Sequence, residues 1–274
     1  MNHYAYTEEQ QQFRDVVQRF LAAHAGALKA RQDMASAQGF NAQTWQRLCD
    51  DLGLPGVHVP EAVGGQGFGF VELGIALEEM GRSLLCAPFF SHAVLATLAL
   101  RHVATREEQE ELLPSLVQGT QRATLAFLEA SGEWSPDDMA TVVDEEGRLQ
   151  GRKAFVLDGA SADWLLVVAQ DAQGGTGLFL VDAAAPGVQR RALETIDATR
   201  RLAEITFDGA AARRLGGDAL PGLHRALDEA TIALASEMVG GARALLDSAV
   251  DYAKLRLQFG RPIGAFQAIK HKCA

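Results

Sequence analysis

The apolar residues of this chain change their spacing twice, and that change limits the architectures open to it. Up to about residue 120 they recur at helical intervals. From Ala123 to Asp208 they alternate, and from Leu223 the helical interval returns. Phe13, Val16, Val17, Phe20 and Leu21 make one helical face behind Thr7 and Gln10, which have capping-box spacing. Trp45, Leu48 and Leu52 mark a second helix over 42–52, ended by Gly53 and Pro55. A third is predicted over 70–82, a fourth over 89–102 and a fifth over 105–117. The fifth opens on a second capping box, Thr105 with Glu108, and carries Pro114, which predicts an end or a kink.

The alternating region divides into short runs at 124–129, 141–144, 149–157, 164–169, 177–181, 188–193 and 203–207. Turn signals such as Glu146-Gly147, Gly174-Gly175 and Pro186-Gly187 separate them. Runs of this length predict a small antiparallel barrel or sandwich. The expected class is α+β: an all-α domain over 1–120, a β domain over 121–214, and the beginning of a helical bundle over 215–274. From Ile232 onward two apolar stripes flank each other, Ile232, Ala235, Val239, Ala242 and Leu246 beside Leu234, Met238, Gly241 and Leu245. A helix apolar over so much of its circumference packs between others. Gly240-Gly241 would let a neighbouring backbone come close. That neighbour is expected among the N-terminal helices, on another subunit, or in residues following Ala274.

Charge and cysteine usage exclude several functions. A net charge of −10 argues against binding nucleic acid, which needs a basic surface. Three scattered cysteines without a CxxC point to a reducing, cytoplasmic setting and to no metal site. The N-terminus lacks a basic-then-apolar leader, and no run approaches the roughly 20 apolar residues of a membrane span. The loop Gly65-Gln-Gly67-Phe-Gly69 suggests a phosphate cradle, but such a loop needs a preceding strand in a βαβ unit, and helical patterns flank this one.

The stretch Tyr252–Gln267 carries the chemistry. A helical pattern runs into Arg256, breaks at Phe259-Gly260, turns at Pro262 and Gly264, and resumes at Phe266. A cation, an exposed aromatic and an amide around a forced turn suit a planar, phosphate-bearing ligand. The order helices, β domain, long helix, the pattern R-x-x-F-G-x-x-I-x-x-x-Q over Arg256–Gln267 and the loop Pro60-Glu61-x-x-Gly64-Gly65-x-Gly67 together resemble the acyl-CoA dehydrogenase family along the whole chain.

That resemblance implies FAD, α,β-dehydrogenation of an acyl-CoA thioester to the trans-2-enoyl-CoA, and electron delivery to an electron-transferring flavoprotein. Arg256 would contact the FAD pyrophosphate, Phe259 would pack on the cofactor, and Phe266 and Gln267 would meet its far half. In the family these residues serve the FAD of the neighbouring subunit, which implies a homodimer, a homotetramer or a heterotetramer with a paralogue.

On the flavin side the sequence departs from the pattern. Phe127-Leu128-Glu129 begins a stretch that keeps the Glu of the usual E-P-x-x-G-S-D but not its Pro or its G-S-D, and Leu128 stands at the flavin-bonding position. In Gly151–Asp158, Phe155 stands in for a stacking Trp, and Leu157 has no hydroxyl to offer. Two hydrogen bonds of about 0.5–1.5 kcal/mol each would be lost. The expected catalytic Glu lies beyond Ala274. Some members place it on the long helix, where this chain has Ala230. Glu237, in an apolar run, is a weak candidate and reads first as a structural carboxylate paired with a neighbour. Asp228 matches a position that can contact acyl-CoA. The alternative reading is a non-catalytic partner in a heteromeric dehydrogenase, lending Arg256, Phe259 and Gln267 in trans.

Overall fold

The computed structural model describes residues 5–132, 136 and 139–274. The N-terminal helices are α1 (Glu8–His24), α2 (Ala27–Ala35), α3 (Ala42–Asp50), α4 (Phe70–Ser83), α5 (Thr97–Val103) and α6 (Arg106–Val117). Both capping boxes form, at Thr7 with Gln10 and at Thr105 with Glu108. Each satisfies two N–H groups that the first helical turn leaves unpaired. Helix α6 continues past Pro114 to Val117, and Leu112, Leu113 and Leu116 bury around the proline and hold the last turn in the core. The short α2 has no counterpart among the helices expected from sequence; its nine residues bury only Ala30, too little for a periodic signal.

The single helix expected over 89–102 is in two parts. Phe90–Ala96 is a π-helical segment, and only then does α5 begin. Widened turns of this kind recur at functional sites. Here His92 fixes the segment: Ala123 N–H donates to its Nδ1 at 3.1 Å, and Nε2 lies 2.8 Å from the Leu116 carbonyl. A buried ring that accepts on one nitrogen and donates on the other stays neutral, and burial pushes its pKa down to about 4.

The middle of the chain is one eight-stranded sheet in the order β6-β7-β3-β2-β4-β5-β8, with β1 beside β4. The strands are β1 (Ala123–Ala126), β2 (Val142–Val143), β3 (Arg148–Leu157), β4 (Trp164–Gln170), β5 (Thr176–Asp182), β6 (Val188–Ala192), β7 (Leu202–Ala211) and β8 (Arg213–Leu215). The sheet is mixed: β1 and β2 run parallel to β4, and the remaining pairs are antiparallel. A parallel partner needs a long connection, and β1 reaches β4 across the whole of β2 and β3. Strand β4 is buried on both faces. Leu166 and Val168 join the helical core with Leu125 and Phe127, whereas Leu165, Val167 and Ala169 join a second core with Leu149, Phe179, Ile205 and Phe207.

Helix α7 (Leu220–Leu255) is 36 residues long and packs along α4. At the crossing, a Cβ on Gly240 would lie 1.8 Å from the Glu78 carbonyl oxygen, and one on Gly81 would lie 2.0 Å from that of Glu237. The neighbour that Gly240 admits is therefore the N-terminal helix α4. The other side of α7 leaves Met238, Val239, Leu245, Tyr252 and Leu255 exposed. A two-residue hairpin, β9 (Leu257–Gln258) with β10 (Arg261–Pro262), and the short α8 (Gln267–Cys273) follow.

Candidate cofactor site

The site begins with a bulge in β3. Lys153 pairs with Ile205 and Val156 with Ala203, so Ala154 and Phe155 face a single residue of β7. Phe155 takes φ +52°, and its ring stands 45% exposed. Beneath it, Lys153 is fully buried, and its Nζ donates to Glu129 Oε1 at 2.7 Å. Burial alone would raise the Glu129 carboxyl. Hydrogen bonds from Lys153, from the Thr141 hydroxyl (2.7 Å) and from the Ala140 amide (2.8 Å) outweigh it and bring the pKa down to about 2. Desolvation draws Lys153 down to about 8 against the pull of Glu129. The pair fastens residues 129 and 139–141 to β3, and Ala154 N–H donates to the Leu128 carbonyl at 2.9 Å. Leu128 and Phe155 are thereby held side by side.

They open onto a cavity of about 290 Å³. Phe127, Leu128, Phe155 and Leu157 all line it, so four residues identified from the sequence meet in one place. Phe90 and Leu95 of the π segment close one side, and Leu234 of α7 another. The Ser91 hydroxyl donates to Asp158 Oδ2 at 2.6 Å, which ties the π segment to the end of β3, and burial pushes the Asp158 carboxyl up to about 6. Among the described residues the one charged lining residue is Arg200, which sequence reasoning did not single out. It belongs to the irregular segment between β6 and β7, where no periodicity marks a side chain as inward-facing. Its guanidinium lies 5.4 Å from the Phe90 ring centroid and pairs with Glu237. Residues 133–135, in the stretch that departs from the family pattern, lie outside the described residues.

The second group of candidates is elsewhere. Arg256, Phe259, Phe266 and Gln267 sit at the far end of α7, and Leu234 and Arg256 are 22 residues apart on it, or roughly 33 Å at 1.5 Å per residue. Phe259 and Gly260 take φ +53° and +76°, the conformation a tight two-residue hairpin demands. A side chain held there against its preference leaves the Phe259 ring 90% exposed. The ring meets Phe266 edge-on at 6.0 Å, and Arg261 lies 4.3 Å over Phe266. Arg256 and Gln267 are exposed beside them. Ile263 N–H donates to the Arg256 carbonyl at 2.8 Å, which folds the turn back on the helix.

Of the carboxylates, Glu237 is held by Arg200 and does not line the cavity; its Oε2 is buried without a partner among the described residues. Glu229 is bonded to His102 (2.9 Å) and Arg225 (3.1 Å), Ala230 is fully buried, and Asp228 is exposed on α7. The Gly64–Gly69 loop spends its amides on its own backbone: Gln66, Gly67 and Phe68 donate to Gly56, Val59 and Val57. It offers no phosphate cradle. No group of metal-ligating side chains forms among the described residues, and no helix among them is long and apolar enough to cross a membrane.

A flat ring system suits the cavity walls, since aromatic and branched aliphatic faces stack on such a ring. Among the described residues its polar edge finds neither hydroxyl nor amide side chains there, only Arg200. The residues that the resemblance assigns to a pyrophosphate are remote, so the two candidate groups do not meet within one chain.

The family models for the N-terminal and C-terminal domains of acyl-CoA dehydrogenase match residues 7–120 and 222–274. The chain is 33% identical to the acyl-CoA dehydrogenase IpdE2 of Mycobacterium tuberculosis, over 97% of this chain and 70% of the relative. Among solved structures it resembles a Tcur3481-Tcur3483 steroid ACAD variant (TM-score 0.85, 38% identity, 97% of this chain and 72% of that one). It also resembles the ChsE4-ChsE5 complex of Mycobacterium tuberculosis (TM-score 0.86, 30% identity, 98% and 73%). The chain belongs to the acyl-CoA dehydrogenase family.

Proposed function

We propose that this chain is one subunit of a two-component, FAD-dependent acyl-CoA dehydrogenase, acting in the cytoplasm on the CoA thioester of a bulky, steroid-derived acid and passing electrons to an electron-transferring flavoprotein. The observation that carries this reading is the separation of the half-sites: a ring-sized cavity at one end of the contact between α7 and the β domain, and the Arg256 turn roughly 33 Å away along the same helix. Two chains must meet for a complete site. The structurally similar ChsE4-ChsE5 complex and Tcur3481-Tcur3483 steroid ACAD are each named for two components, which supports the heteromer, and the second is a steroid ACAD, which supports the substrate class.

In this reading Arg256 holds phosphate oxygens through its planar fork. Phe259 and Phe266 cover an apolar face, and Gln267 reaches a polar edge. Phe127, Leu128, Phe155 and Leu157 exclude water from the ring-binding cavity. FAD, when bound, accepts the β hydride; the α proton needs a base, and no carboxylate among the described residues lines the cavity. That observation favours a second reading, in which this chain is the non-catalytic partner and lends only its Arg256 turn. Co-expression with a paralogous chain and titration of bound flavin test both. A yellow heteromer that desaturates a steroid side-chain CoA ester, with a colourless and inactive single chain, is expected. Full activity of the single chain as a homo-oligomer rules out the two-component assignment.

A further inference from the structure

The cavity lining poses a polar problem. A flat ring with carbonyl oxygens on its edge loses hydration on entry, and each unmet acceptor is then unfavourable. Leu128 and Leu157 supply no hydroxyl. Among the described residues Arg200 is the only charged group in the wall, and Glu237 engages just one of its nitrogens, Nη2. Among the described residues no protein acceptor takes its Nε or Nη1, and neither nitrogen is a buried, unsatisfied donor. The side chain is 30% exposed, and Phe90 lies under the guanidinium. Glu237 in turn sits beside the close α4–α7 crossing at Gly81, which fixes its backbone. The guanidinium is thus braced by a carboxylate behind and an aromatic face below, with donors to spare.

We propose that Arg200 is the polar anchor of this cavity, donating through Nε and Nη1 to a carbonyl oxygen on the edge of a flat heteroaromatic ring of the isoalloxazine type, and that Glu237 is a positioning residue that holds the guanidinium in place. This rests on reading the cavity as the chain's share of a flavin site. It assigns to a basic side chain the donor role that Leu128 and Leu157 have lost. An electropositive anchor at the ring edge also favours the electron-rich, reduced form of such a ring.

The test uses the full chain and two fluorescent ligands. Lumiflavin has the carbonyl-bearing ring without ribityl or phosphate, and N-phenylnaphthylamine is flat and apolar with no acceptor oxygen. Replacing Arg200 alone leaves Glu237 buried and unpaired, which threatens the fold. The informative variants are therefore the paired R200Q/E237Q change and R200K, each checked by near-UV circular dichroism. Wild type is expected to bind both ligands saturably. R200Q/E237Q should bind lumiflavin about tenfold or more weakly while its affinity for N-phenylnaphthylamine is unchanged, and R200K should recover part of the loss. Equal lumiflavin affinity in wild type and R200Q/E237Q, parallel loss of both ligands in a folded variant, or no saturable lumiflavin binding by wild type would each overturn the assignment. A heteromer that fails to desaturate any CoA ester would instead count against the proposed function and leave the lumiflavin result standing.

Discussion

Buried polar side chains at residue scale separate the groups this fold uses from those it merely tolerates. His58 is 3% exposed, and neither ring nitrogen has a hydrogen-bond partner among the described residues. Burial, with Arg101 second, pushes its pKa down to about 3. His58 and His92 therefore stay neutral in the folded chain while their unfolded counterparts protonate near pH 6.5. The unfolded state binds more protons between those values, so stability is full above about pH 6.5 and falls as pH drops toward 4 and below. Replacing His58 by Leu removes two unmet polar atoms without breaking a hydrogen bond. We expect H58L to gain about 1–2 kcal/mol in urea unfolding at pH 7 and to lose less stability than wild type between pH 6.5 and 5. A destabilised H58L would show that His58 has a polar partner in solution. Nothing in the sequence marked this residue, because a lone histidine before a Val-Pro turn has no pattern to break. The Glu129–Lys153 pair was partly legible: Glu129 stood out as the surviving member of a family segment, but its link to Lys153 joins the segment after β1 to β3, and only the tertiary fold reveals it.

At the scale of elements, the α4–α7 crossing is the decisive contact. Gly240 and Gly241 are adjacent and indistinguishable in sequence, yet a Cβ on Gly240 would lie 1.8 Å from a backbone carbonyl, whereas one on Gly241 would lie 3.7 Å from its nearest neighbour. We expect G240A to force the helices apart and lower stability by about 3 kcal/mol, with loss of the Arg200–Glu237 pair one turn away. G241A should be neutral or slightly stabilising, since Ala is the better helix former. Thermal unfolding of the two variants decides; equal effects would refute the crossing as described. Helix faces and capping boxes were readable here because they are local. The π segment was not, because its register depends on His92 reaching both Leu116 and Ala123. The parallel placing of β1 beside β4 was equally hidden, since alternation tells which face a residue takes but not which strand lies alongside.

For the molecule as a whole, the proposed function assigns the exposed side of α7 and the Arg256 turn to an assembly. Met238, Val239, Leu245, Tyr252, Leu255 and Phe259 are all more than half exposed and form a run of apolar surface. On the proposed function, R256A should leave the melting temperature of the isolated chain unchanged, because the side chain is exposed and the turn is held by backbone. The same change should weaken FAD retention by the heteromer ten- to a hundredfold, the effect of about 1.5–3 kcal/mol for a charge-assisted contact. Equilibrium dialysis of FAD against wild-type and R256A heteromers measures it, and unchanged retention would detach Arg256 from the cofactor.

The sequence by itself determined the α–β–α order, most helix ends, the alternating strands, and the family, through the Arg256–Gln267 and Pro60–Gly67 patterns. These are properties of neighbours along the chain, set by periodicity, caps and turn chemistry. Tertiary structure alone decided that Gly240 meets α4, that Phe127, Leu128, Phe155 and Leu157 share one cavity while Arg256 lies at the other end of α7, and that Arg200 and Glu237 join across it. Those facts depend on contacts between residues distant in sequence, where burial and close packing choose the partner and no local spacing can name it.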